Sequence, residues 1–188
     1  MSTVQSHFDD LGKIGWLWMN SPLHAEWSMF LAARFLLPAI AAGQYHLIER
    51  DGMPVAYCSW AWLDAQAELA YIVDPSRVLA DDWNCGERLW FVDWVAPFGA
   101  TDSWTLRRAM MRRFPGEVAR AIRVKRDRSS ARVMEFKGPQ LESGIAHARL
   151  KGYYDSFLRD AQDSAQAHTL RARLREAVDT KQEIDHAA

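Results

Sequence analysis

Two residues of this 188-residue chain could support proton transfer. His24 follows a Ser-Pro pair in the tryptophan-rich stretch WLWMNSPLHAEW, residues 16–27. Because imidazole has an unperturbed pKa of about 6.5, a histidine in a partly apolar setting can take up and release a proton near neutral pH. Asp93 lies within the apolar run LWFVDWVAPFG, residues 89–99. A carboxylate beside a histidine can orient the imidazole and stabilise the imidazolium that forms.

Each residue also has a structural interpretation. A single histidine is often a core residue, and Asp93 could lie on the solvent face of its strand with Val92 and Trp94 on the other face. Cys58 and Ser59 are further nucleophile candidates, although neither lies in a recognised nucleophile motif. The remaining histidines lack metal-ligand spacing, and the sequence contains no Walker-type or dinucleotide-binding glycine loop. We therefore predict no metal site.

The elements around His24 determine how it could act. The apolar spacing within 8–19 predicts a helix, preceded by a short mobile arm at 1–7. Pro22 disfavours helix before it and tolerates a helix start after it, so a second helix should begin near His24 and end at Gly43. The positive end of that helix dipole would favour the neutral imidazole that a general base needs.

The rest of the chain alternates between strand and helix patterns. The pair Asp51-Gly52 predicts a hairpin between strands at 44–49 and 55–62, and 89–95 is the strongest strand pattern. In chain order, the other predicted elements are a helix or strand at 65–73, a loop at 78–84, a helix capped by Asp102 or Ser103 and ending near Phe114, strands at 118–125 and 132–137, and a helix at 141–158. This order predicts an α+β fold with a mostly antiparallel mixed sheet flanked by helices.

Length and composition indicate one globular domain at 1–163, followed by a charged, Ala-rich tail at 164–188 that is loosely docked or disordered. A formal net charge of -1 argues against nucleic-acid binding. The two cysteines fit a reducing compartment, and neither a secretory signal nor a transmembrane run is evident. We therefore predict a cytoplasmic protein with no integral membrane segment.

Charge is unevenly distributed along the chain. Between Arg107 and Lys137 there are eleven arginines and lysines but three acidic residues. Such a segment could form a basic face for an acidic protein or for phosphate groups, or it could be a solvated surface with ordinary ion pairs. The sequence leaves both interpretations open.

Five long and uncommon stretches carry a family resemblance. They are WLWMNSPLHAEW, LLPAI at 36–40, QYHLIERDGMPVAYCSWAWLD at 44–64, ADDWNCGERLWFVDWVAPFG at 80–99 and ARAIRV at 119–124. Over roughly residues 8–160 the chain resembles the RTX toxin-activating lysine acyltransferases, small proteins that fatty-acylate an inactive pore-forming protoxin. The resemblance implies a GNAT-like acyltransferase fold. One departure is Phe35, where similar proteins often carry an asparagine.

The resemblance also implies the substrates and the site. The donor would be a long-chain acyl group on the phosphopantetheine of acyl carrier protein, with no bound cofactor. The acceptors would be the ε-amines of internal lysines in an RTX protoxin. His24 and Asp93 would be catalytic. Asn20, Ser21 and Arg123 would bind substrate, and homodimerisation would be allowed.

Three modes of action remain open. Lysine, with an ordinary pKa near 10.4, must lose a proton before it attacks a thioester, and His24 supported by Asp93 would take that proton. Backbone N–H groups near Val95 would polarise the thioester carbonyl. Alternatively, an acyl-enzyme would form on Ser21 or Cys58. In the third mode, the protein would be a non-catalytic chaperone or binding module for the carrier protein or the protoxin.

Overall fold

The computed structural model describes residues 3–125 and 130–163, so the predicted tail at 164–188 lies outside the described residues. Within them, a five-stranded sheet with its strands side by side in chain order forms the centre of the fold. The strands are β1 (Tyr45–Arg50), β2 (Met53–Leu63), β3 (Arg88–Val95), β4 (Val118–Val124) and β5 (Ala131–Lys137). Neighbouring strands are antiparallel except for β3 and β4, which are parallel. The structure confirms the predicted α+β class with a mostly antiparallel mixed sheet, and it is consistent with a GNAT-like fold.

Five α-helices of the described residues flank this sheet. They are α1 (Thr3–Met19), α2 (Met29–Ala41), α3 (Ala65–Val73), α4 (Ala100–Arg113) and α5 (Ser143–Asp163). Apolar side chains of α1, α2 and α3 pack on one face of the sheet, called here the α1 face, and those of α4 pack on the opposite α4 face. α1 starts earlier than predicted, so residues 3–7 of the expected arm are helical. None of these described helices is long and apolar enough to cross a membrane.

Turn chemistry sets the hairpin between β1 and β2. Asp51 and Gly52 have φ of 51° and 78°, the positive values that both central residues of a type I′ turn adopt. The hairpin prediction is therefore confirmed. Gly43, with φ of 63°, follows the last turn of α2 and ends that helix as predicted.

The sheet opens on one side of β3. Residues Leu89–Phe91 pair with Ala119–Ala121 of β4, and the pairing between these two strands ends there. β3 nevertheless continues to Val95, paired with β2 alone. The ends of β3 and β4 therefore diverge, which leaves the β4 side of the last β3 residues without a neighbouring strand. We call this opening the splay.

His24 does not lie at the start of a helix, contrary to the sequence prediction. α2 begins at Met29, after Ser28, whose hydroxyl accepts a hydrogen bond from the Leu31 N–H at 3.3 Å. A serine cap sets the boundary because it satisfies an N–H group that the first helical turn leaves free. Pro22 instead begins a series of turns. The predicted role of a helix dipole at His24 is therefore wrong.

The predicted cap of α4 is also wrong. Gly99 occupies the N-cap position and makes no side-chain hydrogen bond there. Asp102 is buried and forms an ion pair with Arg50 of β1. Ser103 Oγ accepts a hydrogen bond from the Trp94 indole N–H at 3.0 Å. Both side chains join α4 to the sheet, because partners distant in sequence satisfy them better than the helix end does.

Candidate active site

His24 lies in the turns that connect α1 and α2. Its backbone N–H donates to Ser21 O at 3.0 Å, and the Trp27 N–H donates to His24 O at 2.9 Å. The imidazole stacks on Trp18 with ring centroids 4.6 Å apart, and it meets Trp27 in an edge arrangement at 4.8 Å. These contacts leave His24 only 5% exposed. The tryptophans of this segment therefore enclose the imidazole and restrict its orientation.

Both ring nitrogens of His24 have polar partners. Nδ1 lies 2.8 Å from Ser21 Oγ, and Nε2 lies 3.3 Å from Asp93 Oδ1. An ionised carboxylate can only accept hydrogen bonds, so we assign the ring proton to Nε2 and the lone pair to Nδ1. Ser21 then donates to His24, and His24 donates to Asp93. This buried arrangement, called here the triad, has the roles of a serine–histidine–aspartate triad, which is recognised by geometry and not by chain order.

A β-bulge aims Asp93 at the imidazole. Ser59 of β2 pairs with Asp93, but the next residue of β2 pairs with Phe91. Val92 is therefore an extra residue in β3, and a bulge of this kind shifts the alternation of side chains by one position. Asp93 and Val92 consequently both lie on the α1 face. The expectation that Val92 lies opposite Asp93 is wrong because it assumed an uninterrupted strand.

Three buried polar atoms of residues that neighbour His24 or Asp93 lack a hydrogen bond within the described residues. They are Asp93 Oδ2, Trp18 Nε1 and Tyr57 Oη. Burial, and after it the charge of Asp93, raises the pKa of Tyr57 well above its ordinary value, while the nearby Ser59 hydroxyl acts in the opposite direction. A buried polar atom left unpaired costs roughly 1–3 kcal/mol. A bound group that offered both donors and acceptors would complete this site.

Cys58 and Ser59 are poor nucleophile candidates in this structure. Cys58 is fully buried on the α4 face, away from His24. Burial, followed by the charge of Asp93, raises the pKa of its thiol well above the ordinary value, which disfavours the reactive thiolate. The Ser59 hydroxyl, also fully buried, accepts a hydrogen bond from the Asp93 N–H at 3.2 Å. Ser59 thereby holds the bulge that orients Asp93.

The structure brings together three of the five predicted site residues, namely the triad. Asn20 lies next to Ser21 but is exposed, and its side-chain amide donates to Trp16 O at 2.8 Å. Arg123 is exposed on β4, two residues beyond the last pair with β3. A continued register would place Arg123 opposite Asp93, but the splay separates the strands. No ion pair joins these two residues in the described structure.

Sequence reasoning did not single out Tyr57 for the site. The sequence holds only part of the signal, namely that Tyr57 and Ser59 are two residues apart in β2 and so share a face of the sheet. Ser59 faces Asp93 in the register, which identifies that face as the α1 face. The contribution of Tyr57 becomes visible only when the register of β2 and β3 is known.

A second buried polar cluster, also missed from the sequence, lies on the α1 face. Fully buried Glu68 of α3 accepts hydrogen bonds from Arg88 at 2.6 Å, from the Trp90 indole at 2.7 Å, and from Arg120. The Arg120 guanidinium also lies over Trp90 at 4.6 Å and over Tyr153 of α5 at 4.8 Å. We call these residues the Glu68 cluster. They join α3, α5, β3 and β4.

The triad and the splay together can support acyl transfer. The buried imidazole accepts a hydrogen bond from Ser21 at Nδ1 and is oriented by Asp93 of β3, two residues beyond the last pair between β3 and β4. The described residues contain no group of three or more His, Cys, Asp or Glu side chains that could hold a metal ion. The fold is that of a small α+β protein whose sheet is consistent with a GNAT-like acyltransferase fold, and the triad contains groups that acyl transfer can use.

Comparison with known proteins identifies the family. The family model of the RTX toxin acyltransferases matches residues 3–137, which include the triad and all strands of the sheet. The chain therefore belongs to the RTX toxin acyltransferase family, as the sequence motifs predicted.

Curated relatives agree over most of their length. The chain is 45% identical over 166 residues to the protein-lysine palmitoyltransferase CyaC of Bordetella bronchiseptica, which covers 88% of this chain and 90% of that protein. It is 43% identical over 159 residues to the protein-lysine myristoyltransferase HlyC of Escherichia coli, with 85% and 92% covered. It is 40% identical over 161 residues to the leukotoxin-activating lysine-acyltransferase LtxC of Aggregatibacter actinomycetemcomitans, with 86% and 95% covered.

Proposed function

We propose that this protein transfers a long-chain fatty acyl group from acyl carrier protein to the ε-amines of internal lysines in an RTX protoxin, and so activates the toxin. Family membership and the relatives' names support the lysine acceptor and the toxin. The observation that carries the chemistry is the buried triad, with Ser21 Oγ 2.8 Å and Asp93 Oδ1 3.3 Å from the two ring nitrogens of His24.

His24 is the general base of this proposal. A lysine ammonium with an ordinary pKa near 10.4 must lose a proton before its nitrogen can attack. Nδ1 of His24 accepts that proton, while Asp93 holds the ring and stabilises the imidazolium. The amine nitrogen then forms a bond to the thioester carbonyl carbon and loses its second proton to solvent, and the carbon–sulfur bond breaks. The leaving thiolate takes the proton from the imidazolium, and the products are an amide and a free thiol.

The open edge of β3 supplies a donor for the carbonyl oxygen of the thioester. The Asp93 N–H points toward β2, where it donates to Ser59 Oγ. Because successive backbone N–H groups of a strand point to opposite edges, the N–H of Trp94, next to Val95, points into the splay. Hydrogen bonds from fixed backbone groups stabilise the oxyanion of a tetrahedral intermediate. We assign this role to Trp94 N–H.

The position of Ser21 supports two routes for the acyl group. In the direct route, Ser21 Oγ passes the lysine proton to His24 Nδ1. In the covalent route, His24 removes the Ser21 proton, Ser21 Oγ attacks the thioester to form an ester, and the released thiolate takes that proton from His24. The neutral lysine amine then attacks the ester, and the proton that its nitrogen loses passes through His24 to the released Ser21 Oγ. Intact mass of the protein, measured with long-chain acyl carrier protein before any acceptor is added, separates the routes. A fatty-acyl increment that Ser21→Ala abolishes supports the covalent route, and its absence supports the direct route.

Substrate handling falls to residues outside the triad. We assign Asn20 to the entrance beside Ser21, and Arg123 to the opposite side of the splay, where either substrate could reach it. The relatives are named for different acyl groups, palmitoyl and myristoyl. Family membership therefore does not fix the acyl-chain length that this protein transfers.

The first test uses a protoxin fragment, long-chain acyl carrier protein and three forms of the protein. The wild type should add a fatty-acyl mass to the fragment, and His24→Ala should reduce the rate about 10²–10⁴-fold. His147→Ala, which removes an exposed histidine of α5, should leave the rate unchanged. Equal rates for the wild type and His24→Ala would exclude His24 as the base. Toxin activation without any mass increment would instead support the non-catalytic binding module.

A further inference from the structure

The basic segment between Arg107 and Lys137 separates into two groups in the structure. Arg120 is 1% exposed and belongs to the Glu68 cluster, so it cannot meet a partner protein. In contrast, four arginines of α4 are exposed, at positions 107, 108, 112 and 113. Arg108 and Arg112 are four residues apart and lie one turn from each other on the exposed side of the helix, and Arg107 and Arg113 lie at the two edges of that side. We call this side the arginine face.

The arginines of this face are not neutralised by acids in the described part of the chain. Ion pairs elsewhere hold other surface cations, such as half-buried Arg149 with Glu117 and exposed Lys151 with Asp155. Within residues 3–125 and 130–163, no such pair involves the arginine face. A helix surface that keeps four uncompensated charges carries a strong positive potential.

Aromatic rings hold two of these guanidinium groups in place. Arg107 lies over Phe136 at 5.4 Å and over Trp104 at 6.0 Å. Arg113 lies over Trp60 at 4.5 Å. Stacking on an aromatic ring orients a guanidinium without neutralising its charge, so less side-chain entropy is lost when an anion binds. This arrangement favours the interpretation of the arginine face as a surface that binds carboxylates. It disfavours the alternative of an ordinary solvated surface.

The Arg107 edge of the arginine face is next to the splay. α4 follows β3 after four residues, and Trp94, at the open end of β3, stacks on Phe136 of β5 with centroids 5.5 Å apart. Arg107 lies over the same Phe136. A protein bound to the arginine face would therefore lie on the α4 side of the opening, with the triad on the α1 side. A long, flexible prosthetic arm that passes through the splay would connect the two.

We propose that the arginine face of α4 is the docking surface for the acidic surface of the acyl carrier protein. This inference rests on the proposed function, because it takes acyl carrier protein as the donor. Opposite charges steer such an encounter and fix the orientation of the partners. The carrier's phosphopantetheine then enters the splay from the α4 face, and its thioester reaches His24 on the α1 face.

The test reverses two charges of the arginine face. Arg108→Glu combined with Arg112→Glu should raise the KM for acyl carrier protein roughly 10-fold or more at low salt and leave kcat within about twofold. Because salt screens exposed charges over a Debye length of about 10 Å at 0.1 M, the difference from the wild type should shrink as salt rises. The matched control, Arg149→Glu with Lys151→Glu on α5, changes net charge equally and should leave KM unchanged.

Two further measurements make the outcome decisive. Direct binding of fluorescently labelled holo-acyl carrier protein tests docking even where no acyl transfer occurs. A carrier protein whose surface carboxylates are replaced by lysines should bind the reversed variant better than it binds the wild type. Equal binding by wild type and reversed variant, or an equal loss in the α5 control, would overturn the docking site. A wild type that binds the carrier but transfers nothing would overturn the proposed function alone.

Discussion

Two buried polar clusters on the α1 face differ in how completely their atoms are paired. In the Glu68 cluster, the two carboxylate oxygens accept from Arg88, Trp90 and Arg120, and contacts of 2.6 and 2.7 Å are short. Within the described residues, Arg120 Nη1 is the atom of that cluster without a partner. The triad is looser, because its imidazole–carboxylate contact is 3.3 Å and Asp93 Oδ2 is unpaired.

The difference indicates different tasks. A buried ion network that is satisfied by its own members joins secondary structure elements and has little capacity left for a ligand. A buried site with unpaired donors and acceptors lowers the stability of the free protein. A substrate that forms hydrogen bonds with these atoms removes that cost when it binds. Burial and charge are common to both clusters, whereas the pairing of the central carboxylate differs: both oxygens of Glu68 have partners, and one oxygen of Asp93 has none within the described residues.

The strongest test of this contrast is Asp93→Asn. An amide at this position can donate to Nε2, which moves the imidazole lone pair away from Ser21 and removes the base. We expect kcat/KM for toxin acylation to fall about 10²–10⁴-fold, while the free energy of unfolding changes by about 1 kcal/mol or less. Steady-state kinetics and urea unfolding measure the two effects.

Asp102→Asn is the matched control for Asp93→Asn. Asp102 is equally buried but forms its ion pair with Arg50 on the α4 side. This variant should lose stability and keep its activity per folded molecule. If Asp102→Asn lost as much activity as Asp93→Asn, the result would contradict a specific role of Asp93 in the reaction.

The Glu68 cluster should respond in the opposite way. Glu68→Gln removes the charge that compensates two arginines, so we expect the free energy of unfolding to fall by about 3–5 kcal/mol. Activity per folded molecule should stay within about threefold of the wild type. Glu117→Gln, which breaks a half-exposed pair with Arg149, should cost about 0–1 kcal/mol. A Glu68→Gln protein with full stability but no activity would reverse the assignment of the two clusters.

Phe35→Leu tests the aromatic side chains around the triad, and we expect a smaller effect than for the preceding variants. Phe35 is buried and lies 5.4 Å from Trp27, which in turn contacts the His24 ring. Loss of one aromatic contact should cost about 1 kcal/mol of stability and reduce kcat/KM severalfold, because the imidazole is held less firmly. Phe98→Leu, at a half-exposed site outside these aromatic contacts, should change neither the stability nor kcat/KM. A selective loss of stability would show that Phe35 supports packing alone.

His46, outside both clusters, should produce the smallest effect. Burial, then the charges of Arg113 and Arg112, lower the pKa of His46 below its ordinary value. Below about pH 6.5, His46 therefore binds a proton more readily in the unfolded chain than in the folded protein. The free energy of unfolding consequently falls as the pH decreases. Urea unfolding at about pH 7.5 and 5.5 should show a smaller loss for His46→Gln than for the wild type. His147→Gln, on an exposed site, should behave like the wild type.

Much of the fold was predictable because it depends on local patterns. The hairpin at Asp51-Gly52 needs two residues that tolerate positive φ, and the β3 pattern of large apolar residues identifies a buried strand. The boundary of α2 was mispredicted because Pro22 and Ser28 both signal a helix start, and the side-chain bond from Ser28 decides between them. Local patterns thus predict which elements exist more reliably than where they begin.

Some features of the candidate site were likewise predictable from the sequence, and others were not. The residue types, apolar surroundings and family motifs of His24 and Asp93 were sufficient to nominate them from the sequence. Their meeting, across 69 positions of the chain, depends on a one-residue bulge that no alternation pattern reveals. The sequence by itself determined the elements, the two candidate groups and the family, because these follow from side-chain chemistry and short-range spacing. Only the tertiary structure decided the face of Asp93, the partner of Nδ1 and the splay, because strand register and packing between distant segments set all three.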